Sequence, residues 1–351
     1  MKIGILLISN GISGAEKVVE NIVNQINKKE VFLFTNSEIY NHFNKFKSNV
    51  YNLGSMFSFS LFRRIKEAKN MARNLDEWIK KENIKVLSIH LEYSFLVALF
   101  LKSKIIIIPT LHGEESFNLH RKLKFLQNVI IRRLLNRFSW IISISKAIKK
   151  VLPLKYMKKT VVIPNGVDSK VFKPIKSIKQ KKNIILFTGR FIDIKGINEI
   201  IAVAKQLPQY EFWFAGQGSL ANLINLPNTK NLGFKTTKEL VKLYNQANIC
   251  IFPSYREGFP LCGLEAMSCQ KAVIATPIGF SEYIENGKDG IIIPAKDEAS
   301  LKNAIVDLMT NEKKRKMIEK NARKKVLQYS WDKIAKQYIE MFKGVVKNET
   351  R

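Results

Sequence analysis

Two cations follow a glycine at the end of an apolar run. Arg190 and Lys195 lie in the segment FTGRFIDIKG, residues 187–196. Arginine offers a planar fork of donors and lysine a compact point charge, so the pair on one strand-to-helix loop can hold a diphosphate. Both charges would also stabilise a leaving phosphate without a metal. The spacing predicts a diphosphate site; the alternative is a solvated loop in a Lys-rich chain.

Two glutamates eight positions apart form the second group, in EGFPLCGLEAM, residues 257–267. Glu257 precedes Gly-Phe-Pro and belongs to a loop, whereas Glu265 falls one to two turns into the following helix. A carboxylate has two acceptor oxygens and can bind neighbouring hydroxyls. The two carboxylates therefore suit a sugar and a ribose; the alternative is a capped helix with one structural glutamate.

A third segment, GISGAE, residues 11–16, lies between the first predicted strand and the first predicted helix. Glycines at such a turn let backbone N–H groups approach an anion at the helix N-terminus. The segment is not G-x-G-x-x-G, and no G-K-[ST] follows it, which excludes a P-loop. A tight strand-to-helix turn is the alternative interpretation.

The elements that must position these residues follow a repeating β-α-β pattern. β-branched runs alternate with amphipathic stretches, which favours a doubly wound parallel sheet. The predicted strands start at residues 2, 30, 85, 104, 140 and 160 and, in a second set, at 183, 211, 248, 271 and 290. The sequence therefore predicts an α/β protein with two Rossmann-like domains facing a cleft, where such proteins bind ligands.

We expect an N-terminal domain over residues 1–168 and a C-terminal domain over 184–330. The Lys-rich stretch 169–183 has no clear period and is predicted to be a linker. The amphipathic stretch 331–351 is predicted to be a helix that packs back on the N-terminal domain.

Composition sets further limits. The chain has 351 residues, 46% of them hydrophobic and 25% charged, which excludes a disordered chain. No apolar run reaches the roughly 18–20 residues of a membrane span. Three cysteines give no disulfide framework, so a reducing, cytoplasmic compartment is expected. No His/Cys/Asp group has ligand spacing, and we predict no metal and no cofactor.

Seven motifs in order resemble the family-four retaining glycosyltransferases of the GT-B fold, also called glycosyl transferases group 1. They are GISGAE (from Gly11), TLHGEE (Thr110), IPNGVD (Ile163), TGRFIDIKG (Thr188), FAGQGS (Phe214), PSYREGFPLCGLEAMSC (Pro253) and TPIGFSEYI (Thr276). The resemblance spans nearly the whole chain. It implies transfer of a hexose-type sugar, with retention, from a nucleoside diphosphate donor, with uridine as the expected base.

The resemblance also implies that domain 1–168 binds the acceptor and that domain 184–330 binds the nucleotide sugar. It further implies residue roles in the second domain. Arg190 and Lys195 would hold the donor diphosphate, and Glu257 would contact the transferred sugar. Glu265 would bind the ribose. The backbone around Gly258, Phe259, Pro260 and Leu261 would assist, and Gly233 with Phe234 would lie at the base-binding loop.

In the first domain, His112 would face the transferred sugar, and the amide of Gly14 would lie near the phosphates. His90 ends a neighbouring predicted strand and could share the same site. Two positions depart from the usual family pattern. Ser13 and Phe280 each stand where the family commonly has glycine.

The net charge of +30 indicates anionic partners: nucleic acid, anionic lipid or phosphorylated substrates. Residues 120–138 hold six Lys/Arg and no acid, with apolar residues at helical spacing. A basic amphipathic helix of this kind fits a peripheral contact with an anionic membrane surface, on its cytoplasmic face. In the enzymes that the chain resembles, such a contact suits a glycan or lipid-linked acceptor in envelope polysaccharide or lipopolysaccharide synthesis. The alternatives are an ordinary helix packed on its own sheet and compositional bias.

Three other functions compete with a transferase. A sugar-nucleotide epimerase has the same fold, but EGFP with two spaced glutamates argues against it. A nucleic-acid-binding protein would explain the charge, but the sequence has no recognition module, and we expect no specific nucleic-acid partner. An inactive glycan-binding relative would not need the arginine, the lysine and both glutamates.

Overall fold

The computed structural model describes residues 1–12, 14–44, 49–56, 60–113, 136 and 138–349. The chain divides into two compact units. The first comprises residues 1–165 with 331–351, and the second residues 166–330.

The first unit is built on a parallel sheet with strand order β3-β2-β1-β4-β5-β6-β7. The central strands are buried along their whole length, as their continuous apolar runs require. The chain leaves β1 toward β2 on one side and returns to β4 on the other, so the strand order reverses between β1 and β4. The strands are β1 Ile3–Leu7, β2 Val31–Thr35, β3 Asn49–Asn52, β4 Val86–His90, β5 Ile106–Leu111, β6 Ile141–Ser143 and β7 Thr160–Val162.

Helices accompany this sheet, numbered in chain order over the described residues. They are α1 Gly14–Gln25, α2 Ser37–Asn44, α3 Leu61–Glu82, α4 Glu92–Leu99, α5 Lys146–Lys150 and α6 Leu154–Met157. The last helix of the chain, Trp331–Glu349, also belongs to this unit and packs against α1. It buries Ile334, Tyr338 and Phe342, which share one face because they are four positions apart.

The second unit repeats the plan with strand order β10-β9-β8-β11-β12-β13, all parallel. The order reverses between β8 and β11, and in open α/β sheets ligands bind beyond the strand ends at such a point. The strands are β8 Ile184–Thr188, β9 Glu211–Ala215, β10 Thr229–Asn231, β11 Ile249–Phe252, β12 Ala272–Ala275 and β13 Ile291–Ile292. The helices are α7 Ile197–Gln206, α8 Thr237–Gln246, α9 Leu261–Ser268, α10 Glu298–Thr310 and α11 Glu312–Val326, and the helix at 331–349 is therefore α12.

Residues 169–183, predicted from the sequence to be a linker, are attached to the second unit. Phe172 is buried, and its carbonyl accepts from the Ser268 hydroxyl at 2.6 Å and from Arg323 at 3.1 Å. The amide of Ile175 donates to Asn245 Oδ1 at 2.8 Å. The lysines gave the segment a solvated appearance, but one buried aromatic and backbone hydrogen bonds hold it in place.

The structure adds two short edge strands, β3 and β10, that the sequence pattern did not predict. The basic stretch 120–138 lies outside the described residues except for 136 and 138, as does Ser13. Within the described ranges, every helix is too short or too polar to cross a membrane.

Candidate functional site

Three loops of the second unit converge at the ends of β8, β11 and β12. The amide of Tyr255 donates to the carbonyl of Ile194 at 2.7 Å, which joins the loop after β11 to the loop after β8. A Cβ on Gly196 would lie 2.3 Å from the carbonyl oxygen of Pro253, and a Cβ on Gly279 would lie 2.8 Å from Cβ of Glu257. Both glycines also have positive φ angles, so only glycine allows the loops to approach this closely.

Lys195 and Glu257 meet where these loops converge. Lys195 Nζ lies 2.5 Å from Glu257 Oε1, and the two side chains are 16% and 11% exposed. An ammonium group has three donors, so the lysine keeps donors for a phosphate oxygen while one is engaged by the glutamate. The structure therefore brings together two residues that the sequence predicted from separate motifs.

Arg190 lies on the same loop as Lys195, two residues after β8 ends. Its side chain is exposed, and within the described part of the chain its guanidinium has no hydrogen-bond or ion-pair partner. The fork of donors is thus available to a ligand at the end of β8.

Glu265 is held by a hydroxyl relay that the sequence did not reveal. Tyr244 Oη donates to Glu265 Oε2 at 3.1 Å, and Thr188 Oγ1 lies 2.7 Å from the same phenol oxygen. Burial raises the pKa of Tyr244 far above its usual value, and the Glu265 charge raises it further. The phenol therefore stays protonated and acts as a donor to the carboxylate.

The loop between the glutamates offers backbone rather than side chains. Phe259 is buried, with its ring centroid 5.0 Å from that of Tyr283, and the carbonyl of Pro260 accepts from Tyr283 Oη at 2.9 Å. Helix α9 begins at Leu261, directly after Pro260. Because proline has no N–H, the donors that this loop can offer are those of Gly258, Phe259 and Leu261.

Gly233 and Phe234 follow the edge strand β10. Gly233 has a φ of 69° and its carbonyl accepts from the amide of Gly216 at 2.9 Å, which ties this loop to the end of β9. The Phe234 side chain is 70% exposed. A large exposed ring at a strand end suits stacking on a base.

In the first unit, two histidines lie at the ends of the neighbouring strands β4 and β5. His90 Nδ1 lies 2.9 Å from His112 Nε2, and His90 Nε2 lies 3.1 Å from Ser88 Oγ. Burial lowers the pKa of His112 to about 4, against an opposing effect of the Glu16 charge, and burial lowers that of His90 well below its usual value. Both rings are therefore neutral near pH 7.

The turn between β1 and α1 lies in the same unit. Gly14 is the first residue of α1 and is exposed, with open space where a Cβ would be. Glu16 is buried and accepts from the Ser9 hydroxyl. Gly14 thus presents backbone at a helix N-terminus, where an anion is favoured.

Two other chemistries find little support among the described residues. Burial raises the pKa of the Cys262 thiol, and Glu257 raises it further, which argues against a nucleophilic thiolate. The described ranges contain no group of three or more His, Cys, Asp or Glu side chains that could hold a metal ion.

Comparison with known families identifies the chain. The family model "Glycosyltransferase Family 4" matches residues 12–171, and "Glycosyl transferases group 1" matches residues 168–325. The chain belongs to this glycosyltransferase family. The two models divide it close to the boundary between the two compact units.

Individual relatives agree with this assignment. An uncharacterised glycosyltransferase of Methanocaldococcus jannaschii is 29% identical over 94% of this chain and 95% of its own length. The N,N'-diacetylbacillosaminyl-diphospho-undecaprenol alpha-1,3-N-acetylgalactosaminyltransferase of Campylobacter jejuni is 32% identical over 56% of this chain and 57% of its own length.

Solved structures share the fold. The structure of Anabaena HepE in complex with UDP and glucose superposes with a TM-score of 0.85 at 19% identity, covering 98% of this chain and all of that one. The glycosyltransferase is thus an α/β protein of the GT-B fold, as predicted from the sequence.

Proposed function

We propose that this glycosyltransferase transfers a hexose-type sugar, with retention of configuration, from a UDP-sugar to a hydroxyl of a glycan or lipid-linked acceptor. The reaction requires a site that binds a sugar diphosphate and stabilises the diphosphate as it leaves. The proposal includes a role in surface polysaccharide synthesis.

One observation carries the proposal: Lys195, Glu257 and Arg190 lie on loops at the strand-order reversal of the second unit, and the Arg190 guanidinium has no partner among the described residues. Cations at such a point bind phosphate oxygens, and a neighbouring carboxylate binds sugar hydroxyls. The negative charge on the diphosphate grows as the glycosidic bond breaks. Lys195 and Arg190 would stabilise that charge more than the ground state, which accelerates transfer.

The remaining residues receive supporting roles. Glu265, oriented by Tyr244, would accept from the ribose hydroxyls, and Phe234 would stack on the base. Gly14 would offer its amide to the phosphates. His112 would hydrogen-bond to the transferred sugar as a neutral imidazole, which suits an uncharged hydroxyl. We propose that the reaction needs no metal, because two cationic side chains supply the positive charge.

Acceptor and location are inferred from charge and from a relative. The name of the Campylobacter relative describes a lipid-diphosphate acceptor, and UDP and glucose are bound in HepE. With a net charge of +30, the protein would be attracted to the anionic cytoplasmic face of a membrane. We propose a peripheral enzyme there, with no specific nucleic-acid partner.

The test is a donor screen with the purified full chain. Thermal shift over UDP, GDP, ADP and their sugar derivatives identifies the ligand, because a native-state ligand raises Tm by mass action. Release of UDP with a simple glycoside acceptor, followed by NMR of the anomeric proton, then gives the stereochemistry. Stabilisation by UDP and an axial product from an axial donor are expected.

A matched pair of variants links the result to the site. Lys195→Ala removes the proposed phosphate ligand, and Lys205→Ala removes an exposed lysine at the end of α7 in the same unit. We expect the UDP-induced shift to disappear only in Lys195→Ala. An unchanged shift in that variant would contradict the assigned site, and an inverted product would contradict retention.

A further inference from the structure

The turn between α5 and α6 of the first unit exposes two aliphatic side chains among lysines. Val151 is 59% exposed and Leu154 66% exposed. Lys150, Lys155 and Lys158 lie beside them in the chain and are exposed as well. We call these five residues, Lys150, Val151, Leu154, Lys155 and Lys158, the basic knuckle.

The turn that exposes these residues is held in place by buried side chains and hydrogen bonds. Ile148, Leu152 and Tyr156 alternate with the exposed residues and are 2%, 6% and 6% exposed. Lys149 Nζ donates to the carbonyl of Thr160 at 2.6 Å, and Tyr156 Oη donates to Asn136 Oδ1 at 3.1 Å. Three buried side chains and these bonds fix the backbone, so Val151 and Leu154 cannot turn inward without breaking them.

The charge around the knuckle has one sign. Residues 139–167 contain six lysines and neither Asp nor Glu. Among the described residues, Lys150 and Lys158 have no ion-pair partner, and the Lys155 ammonium bonds to a neutral amide, Asn136 Oδ1, at 2.8 Å. A partner of this surface must therefore be anionic and must also accept aliphatic groups.

We propose that the basic knuckle docks this glycosyltransferase on an anionic lipid surface, with Val151 and Leu154 entering the headgroup region and the three lysines contacting lipid phosphates. A bilayer offers both an apolar layer and a negative surface potential. A nucleic acid would match the charge, but binding to its bases normally uses aromatic side chains, and the exposed tip of the turn carries only aliphatic ones.

A rival surface of the same unit fits less well. Phe62 at the start of α3 is 83% exposed and is followed by Arg63 and Lys66. However, α3 also carries Glu67, Asp76, Glu77 and Glu82, whereas the knuckle has no acid near it in the chain. Phe62 therefore serves as an internal comparison in the test.

The experiment is flotation of the purified full chain with vesicles of phosphatidylcholine alone or mixed with phosphatidylglycerol. We expect binding to the mixed vesicles only, weakened by salt. The variant Val151→Ser/Leu154→Ser should lose binding by about tenfold or more, since it removes the two exposed aliphatic groups that would enter the headgroup region. Lys150→Gln/Lys158→Gln should lose about fivefold per lysine.

Matched controls separate the knuckle from general charge and apolarity. Met317→Ser/Leu327→Ser removes two exposed apolar residues of the second unit, and Lys324→Gln/Lys325→Gln removes two lysines of α11. Both should bind vesicles as the wild type does. Circular dichroism and Tm confirm that each variant is folded.

Several outcomes would overturn the proposal. One is binding that persists in Val151→Ser/Leu154→Ser, which would assign membrane contact elsewhere, including the basic stretch 120–138. A second is loss of vesicle binding in Phe62→Ser while the knuckle variants still bind. A third is a wild type that does not bind vesicles, together with a knuckle variant whose oligomeric state differs from that of the wild type. This inference rests on the proposed function at a membrane, but the two can be tested independently. UDP release with a water-soluble acceptor should be unchanged in the knuckle variants.

Discussion

The two units of this glycosyltransferase carry chemically different side chains at the points where their strand orders reverse. In the second unit, the reversal between β8 and β11 carries charges: Arg190, Lys195 and Glu257. In the first unit, the reversal between β1 and β4 lies beside His90 and His112, which burial keeps neutral. The same sheet plan thus carries an ion pair and an arginine in one unit and two neutral imidazoles in the other.

This contrast follows from what surrounds each group. Lys195 and Glu257 remain partly exposed and form an ion pair. The histidine pair has the hydroxyl of Ser88 at one end, and a proton added to it would be buried beside a second imidazole. Burial therefore selects the neutral form there.

The largest expected effect is a loss of stability at low pH, which tests the neutral histidines of the first unit. The folded-state pKa of His112 is about 4, below its usual value of 6.5. Between these values the unfolded chain binds more protons than the folded chain, so stability falls as the pH drops from about 6.5 toward 4. The loss from this residue is at most about 3 kcal/mol. Urea unfolding followed by circular dichroism at stepped pH values measures it.

The control isolates the histidine from titrating carboxylates. His112→Gln should shrink the loss of unfolding free energy over this pH range, because it removes the buried imidazole. Equal pH dependence in the wild type and in His112→Gln would show that the imidazole is not held neutral.

The next effect tests the charged side. Arg190→Ala should lower kcat about 100-fold, comparable with the loss of one donor to a developing anion. The same change should leave Tm within error, since the side chain is exposed and has no partner among the described residues. Steady-state kinetics with thermal unfolding separates the two readouts. Wild-type turnover in the folded variant would refute the role of Arg190.

The ion pair between Lys195 and Glu257 should contribute to both turnover and the free energy of unfolding. Glu257→Gln leaves a partly buried ammonium without its counter-charge and should lower the unfolding free energy by about 2 kcal/mol, with a loss of turnover. The double variant Lys195→Met/Glu257→Leu should recover stability but not activity. Recovery of both would show that the pair is structural only.

The smallest effect concerns the relay to Glu265. Tyr244→Phe removes one hydroxyl and should raise the donor KM about fivefold, equivalent to about 1 kcal/mol, with little change in kcat. Tyr210→Phe, at another buried tyrosine of the second unit, is the control. A fall in kcat without a change in KM would place Tyr244 in the chemical step instead.

The sequence pattern places the charged residues in the fold but not the residues that support them. Arg190, Lys195 and Glu257 follow predicted strands, and Glu265 lies in the helix after Glu257. Tyr244 could not be found this way, because it occupies a core position of α8 and its contact with Glu265 spans 21 residues. A hydrogen bond between residues far apart in the chain produces no periodic pattern in the sequence.

Local departures from the family pattern also needed the structure. Phe280 stands where the family commonly has glycine. Its ring is fully buried and stacks on that of Phe252, with the ring centroids 5.7 Å apart, so it fills the core below the loop. The neighbouring Gly279, which a sequence motif alone does not single out, is the residue that allows the loop to reach Glu257.

The central claim is that the second unit binds the diphosphate of the donor through Arg190 and Lys195. Calorimetric titration of UDP and of uridine into the wild type and into Arg190→Ala/Lys195→Ala tests it most directly. We expect UDP to bind the wild type much more tightly than uridine does, and this difference to collapse in the variant while uridine binding stays the same. An undiminished preference for UDP in the folded variant would contradict the claim.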